Sequence, residues 1–163
     1  MSAKLPFMKH ILRFFRPEAT ARISGNPEYP HISGTVYFLQ TPMGVLVAAE
    51  VENLPHEAGE CTEKIFGFHI HRGSKCSGND KDPFANTLGH YDPHICPHPK
   101  HAGDMPPLFG NKGYAFQVFL TDRFTVKEVI GKTVIIHSMP DDFTSQPSGN
   151  AGQKIACGEI KGR

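Results

Sequence analysis

Two histidines two positions apart, His69 and His71, close the run Lys64-Ile65-Phe66-Gly67-Phe68-His69-Ile70-His71. On a strand, residues two apart leave from the same face, so both imidazoles can converge on one ion. Between Gly89 and Pro107 the chain gathers His90, His94, His98 and His101 with Asp92 and Asp104, four of its ten histidines in one loop. Pro97, Pro99, Pro106 and Pro107 exclude a helix there and stiffen the loop, which reduces the entropy that metal binding must overcome. Nitrogen and oxygen donors at this density suit zinc or copper. His98, His101 and Asp104, each three apart, form three-quarters of a closed site, and His90 is the nearest further donor. His94 has no place in that count and is expected to face solvent. His137 stands just before Asp141 and Asp142, either of which can accept a hydrogen bond from the far nitrogen of a bound imidazole and fix its tautomer. The competing reading of the loop is a solvated His-rich tract, and of His137 a structural strand-end residue.

Those residues need a frame, and the sequence predicts one of strands. Period-two alternation runs through Ala21–Ser24, Ile32–Leu39, Val45–Glu52, the run ending at His71, Tyr114–Leu120, Thr133–His137 and Lys154–Ile160. Turn chemistry lies between them at Gly25-Asn26-Pro27 and Thr41-Pro42-Met43-Gly44. Strands at this spacing predict an all-β sandwich or flattened barrel. Residues 72–113 lack strand periodicity, and a connection of that length in a single domain is usually functional. A second irregular loop runs from Ser138 to Gly152.

With 163 residues the chain can build one domain, and 16 glycines with 14 prolines favour turns and ordered loops over helices. Its 17 basic and 16 acidic side chains leave a formal charge of +1. That near-balance gives no field for a nucleic acid or an anionic membrane, and neither is expected as a partner. Residues 1–18 read as an N-terminal extension, in which Leu5, Met8, Ile11, Leu12 and Phe15 recur at helical spacing; residues 19–163 read as the domain. The extension lacks a secretory apolar run, so a cytoplasmic location is expected, and no segment is long enough to span a bilayer. Cys61, Cys76, Cys96 and Cys157 are scattered without a C-x-x-C pair, which excludes a zinc finger and leaves disulfides and free thiols both open.

Taken together, Gly67-Phe68-His69-Ile70-His71, Gly89-His90-Tyr91-Asp92-Pro93, His98 with His101-Ala102-Gly103-Asp104, Val134-Ile135-Ile136-His137 with Asp141-Asp142, and Gly149-Asn150-Ala151-Gly152 through Lys154-Ile155-Ala156-Cys157-Gly158 resemble the copper/zinc superoxide dismutase family in order and spacing. The resemblance covers about residues 19 to 160. It implies an eight-stranded antiparallel Greek-key barrel or sandwich, immunoglobulin-like, with two long functional loops. It implies copper on His69, His71, His90 and His137, and zinc on His90, His98, His101 and Asp104, with the His90 imidazolate bridging the two ions. Asp141 matches the carboxylate that ties a copper histidine to a zinc histidine, and Cys76 with Cys157 matches the family's disulfide. The implied activity is disproportionation of superoxide to dioxygen and hydrogen peroxide, with His90 and Lys154 as catalytic residues. No organic cofactor is implied.

Three departures carry expectations of their own. Lys154 stands where the family usually has an arginine, and a hydrated point charge without the planar fork predicts weaker anion capture. Phe143 to Ser148 holds no charge, so long-range steering should be modest. Ser77 to Leu88 is an insertion of turn-like composition, and Cys61 with Cys96 is left either as a second disulfide or as two free thiols. Two other function classes compete: a non-catalytic copper- or zinc-binding module on the same fold, and a mononuclear zinc hydrolase, which would need an open zinc position. The exposed strand residues show no legible interface patch, so a homodimer is neither predicted nor excluded.

Overall fold

Alternation of small or branched apolar residues with polar ones drives the first three strands. In the computed structural model, which describes residues 16–163, β1 (Ala19–Gly25), β2 (Ser33–Thr41) and β3 (Gly44–Glu52) form an antiparallel meander. Ala19, Ala21 and Ile23 of β1, Val36 and Phe38 of β2, and Val45, Val47, Ala49 and Val51 of β3 turn inward and are buried. Pairing in register, Val36 with Ala49 and Phe38 with Val47, keeps every inward side chain on one face. The predicted amphipathic helix of the extension falls on residues 5–15, outside the described part of the chain.

The remaining elements are β4 (Ile65–Phe66), β5 (Phe68–His71), β6 (Leu108–Phe109), β7 (Ala115–Thr121), a one-turn helix α1 (Val126–Val129), β8 (Thr133–His137) and β9 (Lys154–Gly162). The main sheet has seven strands in the order β5-β8-β9-β1-β2-β3-β7, every neighbouring pair antiparallel, and β4 with β6 makes a small separate ribbon. Ile70 at one end of that order and Ala115 at the other share one buried cluster with Phe38, Val47 and Ile136. A sheet whose two ends meet in one core must curl onto itself, the sandwich-like closure expected from the alternation.

The single strand predicted over Lys64–His71 is broken at Gly67. There the backbone turns against the second loop: Gly67 N–H donates to Met139 O at 2.8 Å and His137 N–H donates to Gly67 O at 2.8 Å. A Cβ at this position would stand 2.8 Å from that of Ala151, so only glycine permits the approach. The long stretch 72–113 contains a 3-10 turn at Ala85–Thr87 as well as β6. Helix α1 was hidden in the gap between β7 and β8; it begins with a capping box in which Thr125 and Glu128 bond reciprocally.

Cys76 and Cys157 form a disulfide with a Cα separation of 5.7 Å, tying the start of the inserted segment to β9. Cys61 and Cys96 are free thiols, which removes the second disulfide from consideration. Among the described residues, no helix is long and apolar enough to cross a membrane.

Candidate metal centre

Strand β5 is buried on both faces. Phe68 and Ile70 enter the core, while His69 and His71 leave from the opposite face. Its outer edge is covered by the long loop laid alongside it: Ile70 N–H donates to Gly103 O, Tyr91 N–H to Ile70 O, and Arg72 N–H to Gly89 O, at 2.8, 2.8 and 2.9 Å. The same main-chain contacts bring His71 opposite His90 and His69 opposite Asp104. Loop and strand are therefore fixed against each other by backbone hydrogen bonds before any side chain is considered.

Two buried clusters result. His69, His71, His90 and His137 direct ring nitrogens to one point, and His90, His98, His101 and Asp104 send one ligand atom each to another; within each set these atoms lie no more than 4.8 Å apart. His90 belongs to both. His94 is exposed and takes part in neither.

The far nitrogens decide which atom each ring offers. His71 Nδ1–H donates to Leu88 O at 2.7 Å and His137 Nδ1–H to Gly152 O at 3.3 Å, since a carbonyl can only accept. Each ring is thereby left with its lone pair on Nε2, and these two Nε2 atoms face each other at 3.4 Å. Asp141 takes the Nε2 side of two rings at once, His69 at 2.7 Å and His98 at 2.9 Å. Their Nδ1 atoms consequently point inward, and both are buried without a hydrogen-bond partner. His90 Nδ1 lies 2.7 Å from Asp104 Oδ1 and 3.3 Å from His101 Nδ1, whereas His90 Nε2 is the third buried ring nitrogen with no partner. His98 Nδ1 is 3.0 Å from Asp104 Oδ2 without a hydrogen bond, so its lone pair faces a carboxylate oxygen.

Unpartnered buried nitrogens are costly, and facing lone pairs repel. A cation in each cluster resolves both problems, so the donor set fits metal: all nitrogen in the first cluster, nitrogen with one carboxylate in the second.

The electrostatics agree with ligands held ready. Burial pushes His71 well below the usual imidazole range, and the neighbouring imidazoles of His137 and His90 push it further. Burial, followed by His69, brings His137 down to about 3. His90 is lowered by burial despite Asp104. These rings stay neutral at physiological pH, as metal ligands must. Burial would raise Asp104, but the hydrogen bond from His90 and the surrounding imidazoles outweigh it and keep the carboxylate ionised. For Asp141 the opposing effects are again burial against hydrogen bonds, from His69, Phe143 N–H and His98, and the bonds hold it well below the carboxylate range.

Supports that the sequence did not single out lie around the second cluster. Arg123 donates from one guanidinium nitrogen towards three carbonyls of the loop, Pro99, His101 and Asp104, at 3.1 to 3.4 Å. Gln146 brackets His98, accepting from its N–H at 2.9 Å and donating to its carbonyl at 2.7 Å. Gly149, at φ +67°, lies where any side chain would run into Asp141. No local signal marks Arg123 or Gln146, because each acts across nineteen or more residues. Lys154 pairs with His137 across the β8–β9 ladder, so its ammonium is on the histidine side of β9.

A family model of copper/zinc superoxide dismutase matches residues 32–160. The chain is 36% identical over 143 residues to superoxide dismutase [Cu-Zn] 1 of Aquifex aeolicus, covering 78% of this chain and 79% of that protein. It is 34% identical over 152 residues to the superoxide dismutase [Cu-Zn] of Legionella pneumophila, covering 88% and 87% of the two chains. The solved Cu/Zn superoxide dismutase from Brucella abortus superposes with a TM-score of 0.73 at 25% identity, over 88% of this chain and all of that one. On sequence, fold and paired clusters alike, the chain belongs to the copper/zinc superoxide dismutase family.

Proposed function

We propose that His69, His71, His90 and His137 hold copper, that His90, His98, His101 and Asp104 hold zinc, and that the chain disproportionates superoxide. The observation that carries this is His90, whose Nε2 points to one cluster and whose Nδ1 points to the other. Copper supplies the one-electron couple that oxidises one superoxide to dioxygen and reduces the next to hydrogen peroxide, while zinc is redox-inert.

The chain's own residues do the rest. His90 Nε2 is the atom that can take up a proton after the first half-reaction and release it to peroxide in the second. Asp104 lies against Nδ1 of the same ring and would share the zinc with it, so the imidazole stays held on that side while Nε2 exchanges its proton. Asp141 joins His69 to His98 and fixes the tautomer of both. Lys154 contributes a positive charge next to His137, which draws the anionic substrate towards the histidine cluster. The donor sets also weigh against a zinc hydrolase, since the carboxylate-bearing cluster has four protein donors and leaves no open position for water.

Metal analysis and pulse radiolysis on one reconstituted sample test the proposal. Equimolar copper and zinc with catalysed decay of superoxide is the expected result. Zinc alone after copper loading, without catalysis, would overturn it in favour of a metal-binding module.

A further inference from the structure

Lys154 is not free. Its Nζ donates to Asp82 Oδ2 at 2.8 Å and to Phe84 O at 3.2 Å, so two of its three N–H bonds are committed. Both acceptors come from the inserted segment 77–88, at least seventy residues away in sequence. The segment is anchored for this task. Phe84 packs in a small buried cluster with Ile135 of β8 and Cys157 of β9, Thr87 is fully buried, and the Cys76–Cys157 disulfide ties the segment's base to the same strand. Asp82 is itself held in a turn, its Oδ1 accepting from Phe84 N–H at 2.9 Å and its main-chain N–H donating to Asn79 Oδ1 at 3.1 Å. The second carboxylate oxygen is thereby aimed at the lysine.

The pair borders an open cleft of about 710 Å³. The charged residues lining it are Glu28, Asp80, Lys81, Asp82 and Lys154, so carboxylates outnumber ammonium groups around the lysine.

We infer that Asp82 is a positioning residue for Lys154, and that the inserted segment sets how strongly the enzyme captures anions. Asp82 and the Phe84 carbonyl fix the ammonium and leave one N–H for a ligand, while the Asp82 charge offsets part of the lysine's attraction. The inference rests on the reading of Lys154 as the anion-capturing group.

Azide is the probe, titrated against the copper- and zinc-loaded protein by its copper absorption band, for wild type, Asp82→Asn, Lys154→Met and the double variant. Asparagine keeps an oxygen for the Phe84 turn while removing the charge. Asp82→Asn should tighten azide binding about threefold, the scale of one partly exposed ion pair, and the gain should vanish in the Lys154→Met background. In the metal-free protein, trace acetic anhydride labelling read by peptide mass spectrometry should show Lys154 reacting faster in Asp82→Asn. If Lys154→Met weakens azide binding but Asp82→Asn changes neither azide affinity nor labelling, the inference falls and the role of Lys154 stands. If Lys154→Met leaves azide binding unchanged, both fall.

Discussion

The two halves of the centre are built by different means. His69, His71 and His137 stand on the adjacent strands β5 and β8, where the main-chain ladder sets their separation. The far nitrogens of His71 and His137 rest on backbone carbonyls, and His69 alone of the three needs a carboxylate. His98, His101 and Asp104 stand instead on a loop, and side chains must do what register does for the strands: Arg123 on three carbonyls, Gln146 on His98, and Asp141 from the second loop. The strand half is therefore preformed by the fold itself. The loop half is preformed only as far as its hydrogen-bond network is complete, and changes to that network should separate the two metals.

The largest effect is expected where the halves are joined. Asp141→Asn cannot accept from both His69 and His98, and metal affinity should fall about 10- to 100-fold, with zinc lost first. Competition with a chromophoric chelator measures it, and equal loss of both metals would break the distinction between the halves. Arg123→Met should weaken zinc roughly tenfold while leaving copper affinity unchanged, because its carbonyl partners all lie on the loop.

Protons should act on the strand half of the metal-free chain. His137 sits at about 3 in the folded state against an ordinary 6.5, so below 6.5 the unfolded chain binds a proton that the folded one refuses. Stability should be greatest above pH 6.5 and decline steadily towards pH 3, with His71 adding in the same direction. Asp104 and Asp141, both lowered, extend the loss below the ordinary carboxylate range near 3.8. Urea unfolding of the metal-free protein across this range checks the slope, and a flat profile between pH 6.5 and 4 would contradict neutral buried imidazoles. The smallest effect is expected from Lys154→Arg, a gain of about twofold in the superoxide rate constant from a better-shaped cation. Pulse radiolysis of both proteins reads it.

The same contrast governs what the sequence could reveal. Strand positions were legible because alternation is a local signal, and Thr133–His137 has the bounds expected of it. The break at Gly67 was not, since its cause lies at Met139 and Ala151 in the second loop. Helix α1 left only the Thr125 to Glu128 capping box as its trace, four residues being too few for a helical period. In the histidine-rich loop, composition marks a metal site but cannot rank its members: His90 faces two clusters and His94 faces solvent. Spacing by threes separated out His98, His101 and Asp104, and family resemblance supplied the role of His90. The Lys154–Asp82 pair was beyond reach, because it exists only once Phe84 has docked the insertion against β8 and β9.

If one imidazole, that of His90, serves both halves, magnetic resonance will detect the sharing. With copper(II) in the strand half and cobalt(II) in the loop half, a shared imidazolate couples the two spins, and the ordinary copper resonance should be lost or strongly broadened. An unaltered copper spectrum beside fully bound cobalt would show two independent sites and rule out a shared His90.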